Sequence, residues 1–477
     1  MGSNALESMS SHATQDIIVE GPLLGELRGS GRGGLAGYLG AGGYDALAQA
    51  MRGGAADALA RLAASGLRGR AGGGFPTAVK WKQVRDNGAP ARYFVCNANT
   101  GQLGGGKESA LIRLNPHAVI EAVALAASIV GAQVAFIHLG QSLEHEQLLL
   151  EAAVQEARMQ HLLDPAACDI RIQRSESGYL AGEETALLEL LEGRPGRPRG
   201  KPAMPTRSGF QKQPTVVNNL ETVLQALLAI RLGPEQFRAV GSRYASGTTI
   251  FSVVGDVARP GLYELPLGTA LGTLIHEHAG GISGNGSLKA ALVGGTSGTA
   301  VGVEHADLPL DYDSLAGIGG SLGSGVIIVL SDTTSMVGVA RDLARFYHQN
   351  SCGKCAPCKD GTRRAYHMLD NLDRVDESAT DWQLSSVEPV GSRKIPMLLV
   401  NAAPAKRASI SYTDSGIGLE KIRLICTWYS TRGDCHHPTE SSRMLQSLLD
   451  GFTDEFERER AAPVMDEDAM RSTMPAN

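Results

Sequence analysis

Three cysteines lie close together in the segment SCGKCAPCKDG. Cys352, Cys355 and Cys358 are each separated by two residues. Such a run cannot easily bring three sulfur atoms onto one zinc ion at tetrahedral angles, but it can wrap one corner of a cubane in which each thiolate binds a different iron. Lys354 and Lys359 stand beside the run and would help to offset the thiolate charge. The spacing predicts an iron–sulfur cluster, and the alternatives are a zinc site or unliganded thiols.

The fourth ligand of such a cluster must come from elsewhere in the chain. Two-cluster ferredoxins carry a fourth cysteine three residues further on, followed by proline, but here KDGT follows Cys358. Cys426 and Cys435 are the candidates. The chain has seven cysteines, an odd number, and no secretory hydrophobic region at its start. These features favour metal binding in an intracellular protein over disulfides.

Two further segments carry residues suited to a nucleotide or a flavin. The segment GRAGGGFP (69–76) is not a G-x-G-x-x-G fingerprint, yet its backbone amides could hold a phosphate. A simple turn is the alternative there. Glu183 and Glu184 precede a predicted helix, where their carboxylates could bind ribose hydroxyls or only cap the helix.

A third segment, TVVNNLETV (215–223), places two side-chain amides at a predicted strand–helix junction. Asn218 and Asn219 could bind the polar edge of a ring such as that of a flavin. The alternative is that they cap the helix that follows.

The remaining sequence predicts the elements that position these residues. The chain of 477 residues is long enough for two to four domains. Predicted strands at 91–99 and 131–140 alternate with predicted helices at 117–132 and 143–158, which is typical of an α/β sheet. Short β-branched strands with turns follow from about 245, and the pattern is helical from 336. An irregular insertion at about 374–416 interrupts it, and we expect a closing helix over 441–460.

Composition excludes some partners. The net charge of −6 gives no reason to expect a nucleic acid or an anionic membrane as partner. No apolar run reaches the roughly 18 residues of a membrane span. We therefore expect no direct membrane span, and any membrane association would come through partners.

Together and in this order, the segments resemble the flavin-bearing NADH-oxidising subunit of respiratory complex I. They are similar as well to the diaphorase subunits of NAD-dependent hydrogenases and formate dehydrogenases. The resemblance covers roughly residues 35–375 and 418–456. It is carried by the motifs GLRGRAGGGFPT, SGYLAGEETALLELLEG, QPTVVNNLET, GDVARPGLYELPLGT, DYDSL, LGSG and SCGKCAPCKDGTRR.

The resemblance implies a multi-domain α/β architecture. An N-terminal extension (1–34) precedes a Rossmann-like domain that binds FMN and NADH (35–244). A ubiquitin-like β-grasp domain of the SLBB type (245–334) follows. The last domain (335–477) is a helical bundle that carries one [4Fe–4S] cluster and contains the irregular insertion.

The resemblance also implies site residues. Glu184 corresponds to the carboxylate near the adenosine ribose of NAD(H). Cys435 is preferred to Cys426 as the fourth cluster ligand, because the segment it opens keeps the family's spacing to a glutamine, Gln446, and an aromatic residue, Phe452. The implied FMN contacts are Gly69, Arg70, Gly72, Lys80, Asn97, Tyr179, Gly182, Glu183, Val217, Asn218, Asn219 and Thr222.

The sequence departs from the family where NADH is held. In place of an acid-rich loop of the form N-A-D-E-x-E-P-G the chain reads NANTGQLGG, so three carboxylates become Asn99, Thr100 and Gln102. Two expected aromatic residues are Gln83 and Met204, and the loss of each stacking ring would cost about 1 kcal/mol. NADH oxidation is therefore less firmly predicted than cofactor binding.

The expected function is that of an NADH dehydrogenase subunit. A hydride passes from NADH to FMN, and single electrons then pass to a [4Fe–4S] cluster and a partner subunit. One alternative is an FMN and iron–sulfur relay that no longer binds nicotinamide and exchanges electrons with a ferredoxin or another subunit. The other is a structural subunit without flavin. The expected partners are a separate thioredoxin-like [2Fe–2S] subunit and further redox subunits of a larger complex, in the cytoplasm or at the inner face of the membrane.

Overall fold

The computed structural model describes residues 16–99, 101–176, 178–200, 204–372 and 418–461. The insertion predicted at about 374–416 lies outside these residues. The strands are β1 (Ile17–Val19), β2 (Tyr93–Ala98), β3 (Val134–Gly140), β4 (Asp169–Ser175), β5 (Thr215–Asn219), β6 (Thr248–Gly255), β7 (Gly261–Pro266), β8 (Leu288–Val293), β9 (Thr299–Gly302) and β10 (Val326–Ser331).

The helices divide among three parts of the chain. Those before β6 are α1 (Pro22–Gly31), α2 (Gly34–Gly40), α3 (Asp45–Gln49), α4 (Ala55–Ser65), α5 (Thr77–Arg85), α6 (Lys107–Leu114), α7 (Pro116–Val130), α8 (Glu144–Met159), α9 (Glu184–Leu191), α10 (Pro205–Ser208), α11 (Leu220–Leu232) and α12 (Pro234–Arg238). The second part contains α13 (Tyr312–Gly317). The last part contains α14 (Met336–Gln349), α15 (Ala356–Asp370), α16 (Leu419–Ser430), α17 (His437–Gly451) and α18 (Thr453–Ala461).

Four parallel strands form the first sheet, in the order β4-β3-β2-β5. The central strands β2 and β3 are nearly continuous apolar runs because both of their faces are covered, whereas the edge strand β4 is mostly polar. Phe94 and Val216 pack on one face with α7 and α11, and Val95 and Val217 pack on the other with Leu187 of α9. The predicted strands and helices between 91 and 158 are therefore present, within a few residues of the expected bounds.

The strand order of this sheet creates a crevice. The chain runs outward from β2 to β3 and β4, and then returns to form β5 on the other side of β2. In an open parallel sheet, ligands bind outside the carboxyl ends of the strands where the order reverses. The carboxyl ends of β2 and β5 flank that point here, and we call the space between them the β2–β5 crevice.

Six strands form the second sheet, in the order β1-β7-β6-β10-β8-β9. Its edge strand, Ile17–Val19, comes from the range predicted as an N-terminal extension and pairs in parallel with β7. The N-terminus of α1 is fixed to β7, because Glu264 of that strand accepts hydrogen bonds from the backbone N–H groups of Leu23 (2.9 Å) and Leu24 (2.7 Å). A carboxylate suits this position, since the first N–H groups of a helix have no partner within the helix.

Helices α14 to α17 pack around a separate apolar core that includes Leu343, Leu369, Ile422 and Leu448. The closing helix predicted over 441–460 is two helices, which break at Phe452. The helical part of the chain is joined to the second sheet through α17, whose Ser447 hydroxyl accepts from the backbone N–H of Ala300 (2.9 Å).

Helices α6 and α7 are bent by 100° relative to each other. Asn115 lies at the break, and its side chain caps α7 by accepting from the backbone N–H of Ala118 (2.9 Å). In the part of the chain that the structure describes, no single helix is long and apolar enough to cross a membrane. Within those described ranges, α6 and α7 taken together have the length and composition of a span, but they are bent.

Candidate functional site

The β2–β5 crevice is bordered by the asparagines that the sequence singled out. Asn97 and Asn219 are partners in the register of β2 and β5. The Asn97 side-chain amide donates to the carbonyl of Ala181 (3.0 Å), and the Asn218 side-chain oxygen accepts from the Trp81 indole N–H (2.7 Å). These contacts fix both side chains at the edge where a ring could be bound.

Asn219 and Glu183 also have the helix-capping role that the sequence offered as an alternative. The Asn219 side chain accepts from the backbone N–H of Glu221 at the start of α11 (2.9 Å). Glu183 accepts from the backbone N–H of Ala186 at the start of α9 (2.8 Å). Capping is therefore part of the role of both residues, whatever they bind in addition.

The glycine-rich loop closes on itself beside the crevice. Gly69 N–H donates to the carbonyl of Phe75 (2.9 Å). Gly72 has φ +62°, and a Cβ placed there or at Gly73 would meet no atom within 4 Å, so open space lies above both residues. Gly74 (φ +63°) faces protein instead, because a Cβ there would lie 2.6 Å from the ring of Tyr312. A loop of glycines with open space above it is suited to a phosphate held by backbone amides.

Arg70 shapes this loop from within. Its side chain is buried, and its guanidinium donates to the carbonyls of Thr248 (2.8 Å), Ser246 (2.7 Å) and Arg68 (3.0 Å). Its backbone N–H donates to the hydroxyl of Thr222 (2.8 Å). With the guanidinium occupied by carbonyls, Arg70 can support a flavin by holding the loop in shape.

Lys80 joins the two sides of the crevice. Its ammonium forms an ion pair with Glu184 and donates to the carbonyl of Val217 (2.9 Å). The Glu184 side chain is 34% exposed, so it remains accessible to a ligand. Gly182, two residues earlier, has open space where a Cβ would be. The structure thus brings residues of four separate segments to the crevice, but the side chain of Tyr179, which was predicted as a flavin contact, packs instead on Phe346 and His437 of the helical part of the chain.

The altered loop after β2 is bound to the second sheet. The Gln102 side chain donates to the carbonyl of Gly294 (2.8 Å) and accepts from the hydroxyl of Ser324 (2.5 Å). Both ends of the amide are therefore engaged by residues after β8 and before β10. Gln83 and Met204, which replace the expected aromatic residues, are exposed.

A buried ion pair that was not predicted from the sequence lies under this loop. The Lys107 ammonium donates to Glu221 (2.6 Å) and to the carbonyl of Ser324 (2.6 Å). Burial acts to lower the pKa of Lys107, but the carboxylates of Glu221 and Glu108 together outweigh it and the pKa is raised. Glu108 next to it accepts from the Asn219 side-chain amide (3.2 Å), and burial raises the pKa of its carboxyl. One indication of this pair was present in the sequence. Lys107 and Glu108 begin a helix whose later residues are mostly apolar, and charged residues that are buried in such a helix need a partner.

The cysteines line a recess between residues 180–198, which border the crevice, and the helical part of the chain. Cys352, Cys355, Cys358 and Cys435 all border it, together with Leu180, Pro198, Ser351, Lys354, Gly433, Asp434, His437 and Pro438. Cys426 lies elsewhere, fully buried in α16 within the apolar core. The backbone N–H of Asp434 approaches the Cys355 sulfur (3.4 Å), and the Ser351 hydroxyl lies 3.7 Å from the Cys358 sulfur. Hydrogen bonds of this kind support thiolates.

The donor set of the recess is four thiols, the ligands that hold iron–sulfur clusters. Burial raises the pKa of Cys358 to about 11 and that of Cys435 to about 12, so thiolates there need a cationic partner. Lys354 does not supply that charge alone, because it also pairs with Asp434 (2.8 Å). Four thiols spread around one recess match the several irons of a cubane.

One wall of the recess depends on a carboxylate with a lowered pKa. Hydrogen bonds from Arg194 and Arg199 lower the pKa of Glu189 to about 2 and hold the segment 193–200 against α9. Pro198 of this segment lines the recess, and its carbonyl accepts from Lys354 (2.7 Å).

This segment is expected to loosen in acid. Because the pKa of Glu189 is depressed in the folded protein, its contribution is present above pH 4.5 and is lost as the pH falls toward 2. Glu189→Gln should abolish this dependence and cost about 1–2 kcal/mol locally at pH 6. Amide hydrogen exchange of residues 194–199 between pH 5 and pH 2.5, corrected for intrinsic rates, measures it. Glu235→Gln, at an exposed glutamate, is the control. Equal acid sensitivity of the segment in the wild type and Glu189→Gln would contradict the prediction.

Three stretches of the chain match known domain families. Residues 62–227 match the Nuo51 FMN-binding domain, residues 250–300 match the SLBB domain, and residues 338–392 match the NADH-ubiquinone oxidoreductase-F iron-sulfur binding region. The first contains the glycine-rich loop and the β2–β5 crevice, and the last contains three of the four recess cysteines. The matches therefore fall on the segments that carry the geometry described above.

Relatives that match over most of the chain are consistent with these domain matches. The chain is 28% identical to a subunit in the crystal structure of NAD⁺-reducing [NiFe]-hydrogenase in the H2-reduced state, with a TM-score of 0.77 over 96% of this chain and 71% of that one. It is 34% identical to the HndC subunit of the NADP-reducing hydrogenase of Solidesulfovibrio fructosivorans, over 66% of each chain. It is 37% identical to the F subunit of the NADH-quinone oxidoreductase of Aquifex aeolicus, over 67% of this chain and 75% of that one. With the SLBB domain, the parallel sheet and the helical iron–sulfur region in the expected order, the chain belongs to the family of NADH-quinone oxidoreductase F subunits.

Proposed function

We propose that this chain transfers electrons from NADH, through FMN and a [4Fe–4S] cluster, to a partner redox subunit. When bound, FMN supplies the chemistry that accepts a hydride and releases its two electrons one at a time. NADH leaves as NAD⁺, the two electrons pass in turn to the partner, and the proton goes to solvent. The same site can work in the direction of NAD⁺ reduction.

The residues of the chain bind and orient. In this proposal the backbone of the 69–74 loop would hold a flavin phosphate, and Asn97, Asn218 and Asn219 would contact the ring edge, which is supported by their position at the carboxyl ends of β2 and β5. The exposed part of Glu184 would accept hydrogen bonds from ribose hydroxyls, and its charge would repel a 2′-phosphate. On this basis NADH is favoured over NADPH.

Cys352, Cys355, Cys358 and Cys435 are proposed as the four ligands of the cluster. The observation that carries the proposed function is that one short turn, Tyr179–Gly182, borders both sites. Leu180 of this turn lines the cysteine recess, and the carbonyl of Ala181 accepts from Asn97 at the crevice. A flavin and a cluster bound at these sites would be separated by little more than this turn, which favours direct electron transfer.

Anaerobic titration of the holoprotein with NADH tests the proposal. We expect the flavin absorbance to bleach and a paramagnetic signal of the reduced cluster to follow. NADPH at the same concentration, as the comparison, should reduce the flavin more slowly. Dithionite, which needs no nucleotide site, controls for the presence of both cofactors.

The second candidate is a relay that does not bind nicotinamide. The loop after β2 favours it, because Gln102 replaces a carboxylate and is bound to Gly294 and Ser324. Under this alternative dithionite would reduce the flavin and the cluster, but NADH would leave both unchanged. Lys80 and Glu184, which are retained and paired across the crevice, favour the dehydrogenase.

The chain is expected to work within a larger assembly. The relatives named above are subunits of oxidoreductases or hydrogenases, so the partners we propose are redox subunits, including a separate thioredoxin-like [2Fe–2S] protein. Copurification of the native complex with analysis of its iron content and subunit masses would identify them. A cytoplasmic location, at the inner face of the membrane through those partners, is part of the same proposal.

A further inference from the structure

Tyr179 is held by the helices that carry the cysteine recess. Its hydroxyl donates to the Glu440 carboxylate on α17 (3.0 Å). Its ring lies edge-on to Phe346 of α14 with centroids 5.2 Å apart, and tilted against His437 at 5.9 Å. Tyr179 thus fixes the turn Tyr179–Gly182, which we call the flavin-side turn, to the helical part of the chain.

Glu440 stands close to the recess in sequence as well. It lies on the first turns of α17, five residues after Cys435, and His437 between them lines the recess. The nearby His437 ring nitrogen lies 3.0 Å from the carbonyl of Tyr347, which ties the start of α17 to α14. A movement of Glu440 would therefore displace Tyr179 on one side and Cys435 on the other.

The turn that Tyr179 begins has little room to move independently. A Cβ at Gly101 would lie 2.9 Å from the carbonyl of Gly178, so the loop after β2 is packed directly on the turn. With Ala181 bonded to Asn97 and Leu180 facing the cysteines, displacement of Tyr179 changes both sites together.

We propose that Glu440 is a positioning residue for electron transfer, because its hydrogen bond from Tyr179 sets the separation of the flavin site and the cluster. The inference rests on the proposed function. It assigns no contact between Glu440 and substrate or cofactor. An ordinary structural hydrogen bond is the competing explanation, and it predicts a loss of stability without a selective loss of electron transfer.

The test uses three variants on one helix. Glu440→Leu keeps the volume but removes the acceptor, Glu440→Gln keeps an acceptor oxygen without the charge, and Asp450→Asn alters an exposed carboxylate of the same helix that pairs with Arg423. In anaerobic stopped-flow mixing with NADH, flavin reduction should stay within about twofold of the wild type in all three. Reduction of the cluster after the flavin should slow about tenfold in Glu440→Leu, since small displacements of reacting groups have large effects on rate. Glu440→Gln should recover most of the rate, and Asp450→Asn should match the wild type.

A second measurement does not depend on activity. The Glu440→Leu variant should increase amide exchange of residues 178–183, and Asp450→Asn should not. Tyr179→Phe should slow cluster reduction as Glu440→Leu does, and the double variant should be no slower than either single one, since both remove the same hydrogen bond. If Glu440→Leu does not fold, the rate of cluster reduction in Tyr179→Phe tests the same hydrogen bond.

Two results would overturn the inference. One is a wild-type rate of cluster reduction in Glu440→Leu with intact iron content, and the other is equal slowing in Glu440→Gln and Glu440→Leu. Failure of the proposed function is distinguishable, because it would appear in the wild type as a flavin that NADH does not bleach. The amide-exchange comparison still applies in that case.

Discussion

Cys435→Ser is expected to abolish the iron–sulfur cluster while leaving the flavin site intact. Cys352 and Cys355 lie in the connection between α14 and α15, and Cys358 lies in the first turn of α15, whereas Cys435 reaches the recess from just before α17. A serine hydroxyl is a poor substitute, since iron–sulfur clusters are held by thiolates. Iron and labile sulfide should fall from about four of each per chain to nearly none. The paramagnetic signal of the reduced cluster should disappear, and NADH should still bleach the flavin.

Cys426→Ser is the matched control. Cys426 is fully buried in α16, packed in the apolar core, and does not line the recess. Its replacement should cost about 1–3 kcal/mol by placing a hydroxyl in that core, and it should leave the iron content unchanged. Loss of iron in Cys426→Ser together with full iron content in Cys435→Ser would refute the ligand assignment.

Lys107→Met is expected to have the largest effect on stability. The substitution leaves Glu221 buried without its cation, and removing one partner of a buried pair costs about 3–5 kcal/mol. Glu221 also accepts from the hydroxyl of Thr249 and the backbone N–H of Ile250 (both 2.9 Å). Because Lys107 additionally donates to Ser324, the loss falls on the contact between the first sheet and the second. Urea unfolding followed by intrinsic fluorescence measures it.

Two comparisons separate the buried pair from lysine loss in general. Lys82→Met removes an exposed lysine that pairs with Asp86, and it should change stability by less than about 1 kcal/mol. The double variant Lys107→Met, Glu221→Leu should recover much of the stability, since neither charge is then left alone. A double variant as unstable as Lys107→Met would show that the cost arises from lost packing instead.

The parts of the fold that follow local rules could be predicted from the sequence. The strands β2 and β3 of the parallel sheet are apolar runs with helices around them, and the asparagines predicted at the strand–helix junction lie at the crevice. The three clustered cysteines could be assigned to one site because their spacing is itself the geometric constraint. Cys435 was preferred to Cys426 from family spacing, and it is the one that lines the recess, although ligation itself is still a proposal.

What could not be predicted depends on contacts between distant segments. Gln102 shows no sequence pattern that indicates Gly294 and Ser324 as its partners, 192 and 222 residues away. The pairing of Ile17–Val19 with β7 likewise joins segments about 245 residues apart, and three residues are too few for a periodicity to be read. The contact between Tyr179 and Glu440 is of the same kind, because only the packing of α17 beside the flavin-side turn brings them together.

The wide separation of Cys435 from the other recess cysteines has a consequence for biosynthesis. There are 76 residues between Cys358 and Cys435, so a ribosome that adds about 5–20 residues per second needs roughly 4–15 s to pass from one to the other. During that time the nascent chain presents three of the recess thiols without the fourth. Delivery of a preassembled cluster by a maturation factor would then be productive only after translation has passed α17, and premature delivery would leave an incompletely coordinated centre open to oxidation.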